Sequence, residues 1–245
     1  MSHHLLLDWG TMTLSLFNAV ILLWLGATVL LNADRRTWGI WLAGFSLLLG
    51  GAFFVSHSAI LGLDLSHLSR SLRFWWYLGL IPVVALPLGW YVVVLWYAGF
   101  WNDRSNDLYR RQRVWLAVVL ISAAAGMVAV VIYANPLADD FSLLPLRFPI
   151  RRLGGTTLLV AGYALYLLSC FGLALDALLR PGPTQRAMGD VARQRARGWL
   201  VATSLLLTVV SVLVIGALLW VLLGVRQNGA YVITESVLLT MARLD

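Results

Sequence analysis

Six long apolar blocks, separated by shorter polar segments, divide the chain from one end to the other. About 20 predominantly apolar residues in a helix are enough to cross the hydrocarbon core of a bilayer. We therefore predict an all-α fold, a polytopic transmembrane bundle of six to seven helices forming a single domain. The predicted helices cover residues 12–31, 38–63, 75–98, 114–133, 153–175 and 199–225.

Two segments leave the helix pattern open. Residues 226–245 are only moderately apolar, which suits either an interfacial tail or the start of a seventh helix. The third block contains Pro82 and Pro87, and a proline inside a helix removes a hydrogen bond and crowds the preceding turn. A kink or a local break is therefore expected there.

Composition supports lipid as the solvent of this chain. Apolar residues make up 60% of the sequence and charged residues 12%, whereas soluble domains average about 45–50% and about 25%. Tryptophan and tyrosine cluster near the ends of the blocks, as they do at membrane–water boundaries. The lipid bilayer is thus the first partner that we expect, and no separate soluble domain is indicated.

Every basic residue of the chain is an arginine, and the formal net charge is +7. Because the arginines lie in loops between apolar blocks, membrane orientation explains them better than nucleic-acid binding. Segments 32–36, 102–113 and 180–197 carry 11 arginines, against 7 in the remaining polar segments. The excess predicts that these three face the cytoplasm of a multi-pass protein in the inner (plasma) membrane of the cell, with the N-terminus outside.

Few polar side chains lie within the blocks. His57, in the second block, is the strongest candidate for a ligand or signal, although a neutral histidine bonded to a neighbouring helix is the more ordinary interpretation. Asn18 and Tyr91 are weaker candidates, for which hydrogen bonds between helices are the simpler role. A haem with two histidine ligands is not expected, because the chain has no second histidine within a predicted helix. A metal site combining His57 with the other histidines is a minor alternative, so no metal or cofactor is predicted.

Arginines are dense in the segment 180–197, where Asp190 is the single acidic residue. The ordinary interpretation is a basic stretch lying on anionic lipid, and the functional one is a docking surface for a cytoplasmic partner. The residues concerned are Arg186, Arg193, Arg195 and Arg197. Small residues in several blocks favour close helix packing, within the bundle or against copies of the chain or other membrane subunits.

The sequence around the turn between the first two blocks resembles a segment found in a known protein family. Residues 30–44 combine a turn containing Asn32, Arg35 and Arg36 with Trp38-Gly39 and a glycine-rich helix that continues to His57. This pattern resembles the N-terminal, seven-helix-type membrane sensor region of bacterial histidine kinases. The resemblance implies a sensory input module that passes a signal to a cytoplasmic output domain, and neither a phosphoacceptor helix nor an ATP-binding domain is present in these 245 residues.

These observations favour a non-catalytic sensory or signalling module that responds to a membrane or extracytoplasmic cue. No catalytic motif is recognisable, and without lysine neither a Schiff base nor a P-loop can form. No carboxylate lies centrally in a block, which argues against an ion-coupled transporter. An accessory subunit of a larger membrane complex is the first alternative, and a transporter or channel is the second.

Overall fold

A computed structural model describes most of the chain as helix. The described residues are 5–32, 38–62, 70–133, 152–153, 156–182 and 190–227. The helices are α1 (Leu5–Leu31), α2 (Trp38–Gly62), α3 (Arg70–Ala98), α4 (Asp107–Tyr133), α5 (Leu158–Leu179) and α6 (Asp190–Gln227). Each is long and apolar enough to cross a membrane, which confirms the predicted polytopic bundle. The possible seventh helix lies outside the described residues.

Helix boundaries differ from the predicted ones mainly where polar residues continue a helix beyond its apolar part. Helix α4 begins at Asp107 rather than at residue 114, because the arginine-rich first turns are still good helix formers. Helix α5 starts later, at Leu158, and ends later, at Leu179. Two strands of two residues each precede it, β1 (Arg152–Leu153) and β2 (Thr156–Thr157), paired antiparallel.

Helix α3 occupies the centre of the bundle and contacts α2, α4 and α5. Helix α1 packs against α2, and α6 packs against α5, so α1 and α6 lie at the periphery. The buried core lies between α3, α4 and α5 and includes Val94, Leu95 and Cys170, none of which is exposed. The core therefore lies between helices that are not all neighbours in sequence.

The contact between α1 and α2 depends on glycines of α2. A Cβ atom at Gly44 would lie 2.5 Å from the side chain of Leu30 on α1. At Gly51 it would lie 2.6 Å from the side chain of Leu23 and 3.2 Å from that residue's backbone nitrogen. These glycines allow the two helix axes to approach closely, as small residues commonly do in membranes.

Helix α3 continues through Pro82 and Pro87, so no local break occurs at these prolines. Proline at position 87 cannot donate a hydrogen bond to the carbonyl of Val83, four residues earlier. The hydroxyl of Tyr163 on α5 donates to that carbonyl at 3.2 Å, and Tyr166 donates to the next carbonyl, Val84, at 2.6 Å. Helix α5 thus supplies donors where proline removed one, which stabilises its contact with α3.

The outward faces of the helices are apolar, as contact with lipid requires. On α4, Val114, Ile121 and Val128 are 60%, 69% and 57% exposed in the isolated chain. On α6, in contrast, Ser204 and Ser211 are buried, and Ser204 accepts a hydrogen bond of 3.0 Å from the indole of Trp90 on α3. These two serines of α6 therefore turn towards protein, whereas apolar residues such as Leu206 face outward.

Candidate functional site

The bundle has two ends of different character. At one end α1, α3 and α5 finish and α2, α4 and α6 begin, and contacts such as the one between Trp38 and Trp96 bring these termini together. We call it the arginine-rich end because the turn 99–106 and the first turns of α4 and α6 lie there. The other is called the opposite end. Each end carries a group of hydrogen-bonded polar side chains.

The group nearer the opposite end is the histidine cluster, formed by Ser15, His57 and Ser58 between α1 and α2. The Oγ atom of Ser15 lies 3.2 Å from Nδ1 of His57, and the hydroxyl of Ser58 donates to the same Oγ at 3.0 Å. Ser15 in turn donates to the backbone carbonyl of Phe54 at 3.3 Å. Both serines are buried, whereas His57 is half-buried.

This bonding pattern indicates which ring nitrogen of His57 carries the proton. A serine hydroxyl has one proton to donate and can accept two hydrogen bonds. Because Ser15 donates to Phe54 and already accepts from Ser58, the consistent arrangement has Nδ1–H of His57 donating to Ser15. The Nε2 atom is then an acceptor, and it has no hydrogen-bond partner among the described residues. The cluster could therefore bind a group that donates a hydrogen bond.

The neighbouring residues connect this cluster to α3. The hydroxyl of Ser56 donates to the backbone carbonyl of Trp75, near the start of α3. The ring of Phe53, one turn before His57, lies parallel to the imidazole at 6.0 Å between centroids. The imidazole is thus held by a hydrogen bond from one side and by an aromatic contact from another, while the adjacent serine links α2 to α3.

Asn18, the second predicted candidate, lies on α1 one turn further into the bundle than Ser15. Its side chain is half-buried and makes no hydrogen bond with the described residues. A hydrogen bond between helices, its simpler predicted role, is therefore not found there.

Tyr91, the third candidate, belongs to a different group at the arginine-rich end. Its hydroxyl donates to Oε1 of Gln112 on α4 at 2.7 Å, and neither side chain is exposed. The amide of Gln112 donates to Oδ2 of Asp176 on α5 at 2.6 Å. Arg111 also donates to Oδ2 through Nε at 2.7 Å. We call these four residues the carboxylate network, and it joins α3, α4 and α5.

Two arginines also bind the C-terminal end of α5, where unpaired carbonyls carry partial negative charge. Arg111 donates to the carbonyl of Arg180 at 3.3 Å. Arg197 donates to the carbonyls of Leu178 and Leu179 at 2.8 and 3.0 Å. Of the four arginines predicted as cytoplasmic contacts, Arg197 thus has an internal role and Arg195 is exposed. Arg186 and the side chain of Arg193 lie outside the described residues.

The turn between α3 and α4 closes the same end. Gly99 adopts a positive φ of 91°, a conformation that favours glycine. Asn106 caps α4, because its Oδ1 accepts from the backbone N–H of Leu108 at 3.3 Å. Its Nδ2 is buried without a hydrogen-bond partner in the described chain and lies 1.9 Å from where a Cβ atom of Gly182 would be. Gly182 donates to the carbonyl of Ala98 at 3.0 Å, so only glycine fits between these groups.

The sequence analysis did not identify Ser15, Gln112, Arg111 or Asp176. The predicted fifth helix ends at residue 175, whereas α5 includes Asp176 in its last turn. The sequence predicts for Arg111 only a contribution to membrane orientation. No sequence signal connects Ser15 with His57, 42 residues away, or Gln112 with Asp176, 64 residues away.

Comparison with protein-family models, with curated proteins and with solved structures finds no match for this chain.

Proposed function

We propose that this protein is a non-catalytic sensory module of the bacterial inner membrane, with the arginine-rich end in the cytoplasm and the N-terminus outside. In this proposal a cue binds at the histidine cluster and alters the arrangement of helices at the arginine-rich end. The observation that carries the proposal is the Nε2 atom of His57, which has no hydrogen-bond partner among the described residues in a cluster otherwise satisfied. The cue would then contain a hydrogen-bond donor.

Helix α3 provides the physical connection between the two ends. It receives the hydrogen bond of Ser56 near its start, contributes Tyr91 to the carboxylate network and bonds to α6 through Trp90. Helix shifts of about 1–2 Å are a common form of signal transmission. A displacement of α2 at the histidine cluster would therefore be passed through α3 to α4, α5 and α6.

The experiment alters the histidine cluster and measures a distance at the arginine-rich end. Spin labels would be attached to Asp103→Cys and Arg195→Cys, both exposed at the arginine-rich end, in a Cys170→Ser background in nanodiscs. We expect His57→Ala to shift the mean distance between the labels by about 1–2 Å, or to broaden its distribution. Pulsed electron paramagnetic resonance measures this distance.

Thr13→Ala is the matched control, because Thr13 is an exposed side chain of α1 whose hydroxyl bonds only within its own helix. It should leave the distance distribution unchanged. Identical distributions for His57→Ala, Thr13→Ala and the parent protein would contradict the proposal. A stoichiometric membrane partner in purifications from native membranes would instead favour the accessory-subunit alternative.

A further inference from the structure

The side chains of Arg110 and Arg113 lie on the outward face of α4. Both side chains are exposed, and neither forms an ion pair or hydrogen bond with the described residues. Arg111, between them, points the other way and binds Asp176. Of these three nearly adjacent arginines, one therefore belongs to the carboxylate network and the other two to the outward surface.

The outward pair continues directly into a surface that faces lipid. Residues 110, 113, 114, 117 and 121 have the spacing of a single helix face, and all are exposed. Val114 is 60% exposed and Ile121 is 69% exposed. An acyl chain that covers these apolar side chains would therefore place its headgroup beside Arg110 and Arg113.

The length of this surface matches one leaflet. Eleven residues separate Arg110 from Ile121, which is about 16 Å along a helix with a rise of about 1.5 Å per residue. Half of a hydrocarbon core is about 15 Å thick. An acyl chain that begins level with Arg110 would thus end at about the level of Ile121, with its headgroup just beyond Arg110.

Charge selects which phospholipid suits the surface. Guanidinium groups bind phosphate oxygens with paired N–H donors, and a pair of them favours a headgroup with net negative charge. The nearby carboxylate of Asp103 accepts two hydrogen bonds from Ser105, whose backbone N–H holds the pKa of that carboxyl below its usual value. Asp103 therefore stays ionised but is occupied within its own turn.

We propose that Arg110 and Arg113, with the apolar face of α4 beyond them, form a binding site for an anionic phospholipid. The site is separate from the histidine cluster and does not depend on the sensory role. In this proposal the two arginines bind one lipid molecule, which is a more specific role than a general attraction of positive charge to the membrane surface.

Native mass spectrometry of the full chain in detergent tests this site, with phosphatidylglycerol as the anionic probe and phosphatidylcholine as the neutral one. We expect the parent protein to retain the first phosphatidylglycerol molecule preferentially. Arg110→Gln/Arg113→Gln should lower that preference by about 25-fold, since each arginine near an anionic headgroup contributes roughly a fivefold effect and the two effects multiply. Circular dichroism and size-exclusion chromatography would establish that the exposed substitutions leave the fold intact.

Arg110→Gln alone should lower the preference by about fivefold. Its matched control is Arg195→Gln, which also removes one positive charge, from an exposed arginine at the same end but on α6. It should change the preference by less than about twofold. Equal losses for Arg195→Gln and Arg110→Gln would overturn the proposal, because the attraction would then follow net charge alone. Displacement of phosphatidylglycerol by millimolar inorganic phosphate would also overturn it, because the site would then bind a free anion rather than a lipid.

Discussion

Replacing Asp176 with alanine is expected to lower the free energy of unfolding by about 2–3 kcal/mol. Oδ2 of this side chain accepts hydrogen bonds from both Arg111 and Gln112, and Gln112 is fully buried. Truncation leaves the Gln112 amide without its acceptor. The loss stays below that of a fully buried ion pair because the side chains of Arg111 and Asp176 are 30% and 31% exposed, so water reaches them.

Denaturation by sodium dodecyl sulfate in mixed micelles measures this change. Asp107→Ala is the control, since it removes an exposed carboxylate from the start of α4 at the same end and should cost less than about 1 kcal/mol. Asp176→Asn keeps one acceptor oxygen and should fall between the two. A loss for Asp176→Ala no larger than that for Asp107→Ala would show that the carboxylate network does not stabilise the bundle.

Replacing Gly51 with leucine is expected to destabilise the contact between α1 and α2 by about 1–3 kcal/mol. A Cβ atom there would meet the backbone nitrogen of Leu23 at 3.2 Å as well as its side chain, so rotating the leucine does not relieve the overlap. The helices must separate, which also strains the histidine cluster in the same contact. Thermal unfolding followed by size-exclusion chromatography detects the lower midpoint and the loss of monodisperse protein.

Gly216→Leu is the matched control, because no atom of the described residues lies within 4 Å of a Cβ atom at that position of α6. It should leave the midpoint unchanged or raise it, since leucine is a better helix former than glycine. Combining Gly51→Leu with Leu23→Ala should recover part of the loss by restoring volume at the contact. Equal midpoints for Gly51→Leu and Gly216→Leu would contradict the packing described for α1 and α2.

The membrane-spanning helices could be predicted because lipid imposes one simple requirement on a sequence, a run of apolar residues long enough to cross it. The ends of the helices were harder to predict. Arginines and a glutamine continue α4 outward from the apolar block, and hydropathy does not reveal that this polar segment is helical. The pair of strands before α5 was not predicted either. The two glycines that separate them in sequence, Gly154 and Gly155, are poor helix formers and gave an unused indication.

The way in which the site residues come together depends on helix packing, which composition does not reveal. His57 was identifiable as a polar residue in an apolar block, but its partner Ser15 lies 42 residues away, and no spacing rule connects them. Asp176 and Gln112 are 64 residues apart and meet because α4 and α5 pack together at one end. Which helices become neighbours depends on rotation about each axis and on shape, which single-sequence patterns do not encode.

Labelling of introduced cysteines with a membrane-impermeant maleimide tests the central claim most directly, which is that lipid surrounds the described helices and that the arginine-rich end, in our proposal, lies inside the cell. In a Cys170→Ser background, we predict that Gly62→Cys is labelled in intact cells and Asp103→Cys only after permeabilisation. Ile121→Cys, on the lipid-facing surface of α4, should resist labelling in both conditions. Labelling of the Gly62→Cys and Asp103→Cys variants from the same face, or of Ile121→Cys from water, would contradict this account.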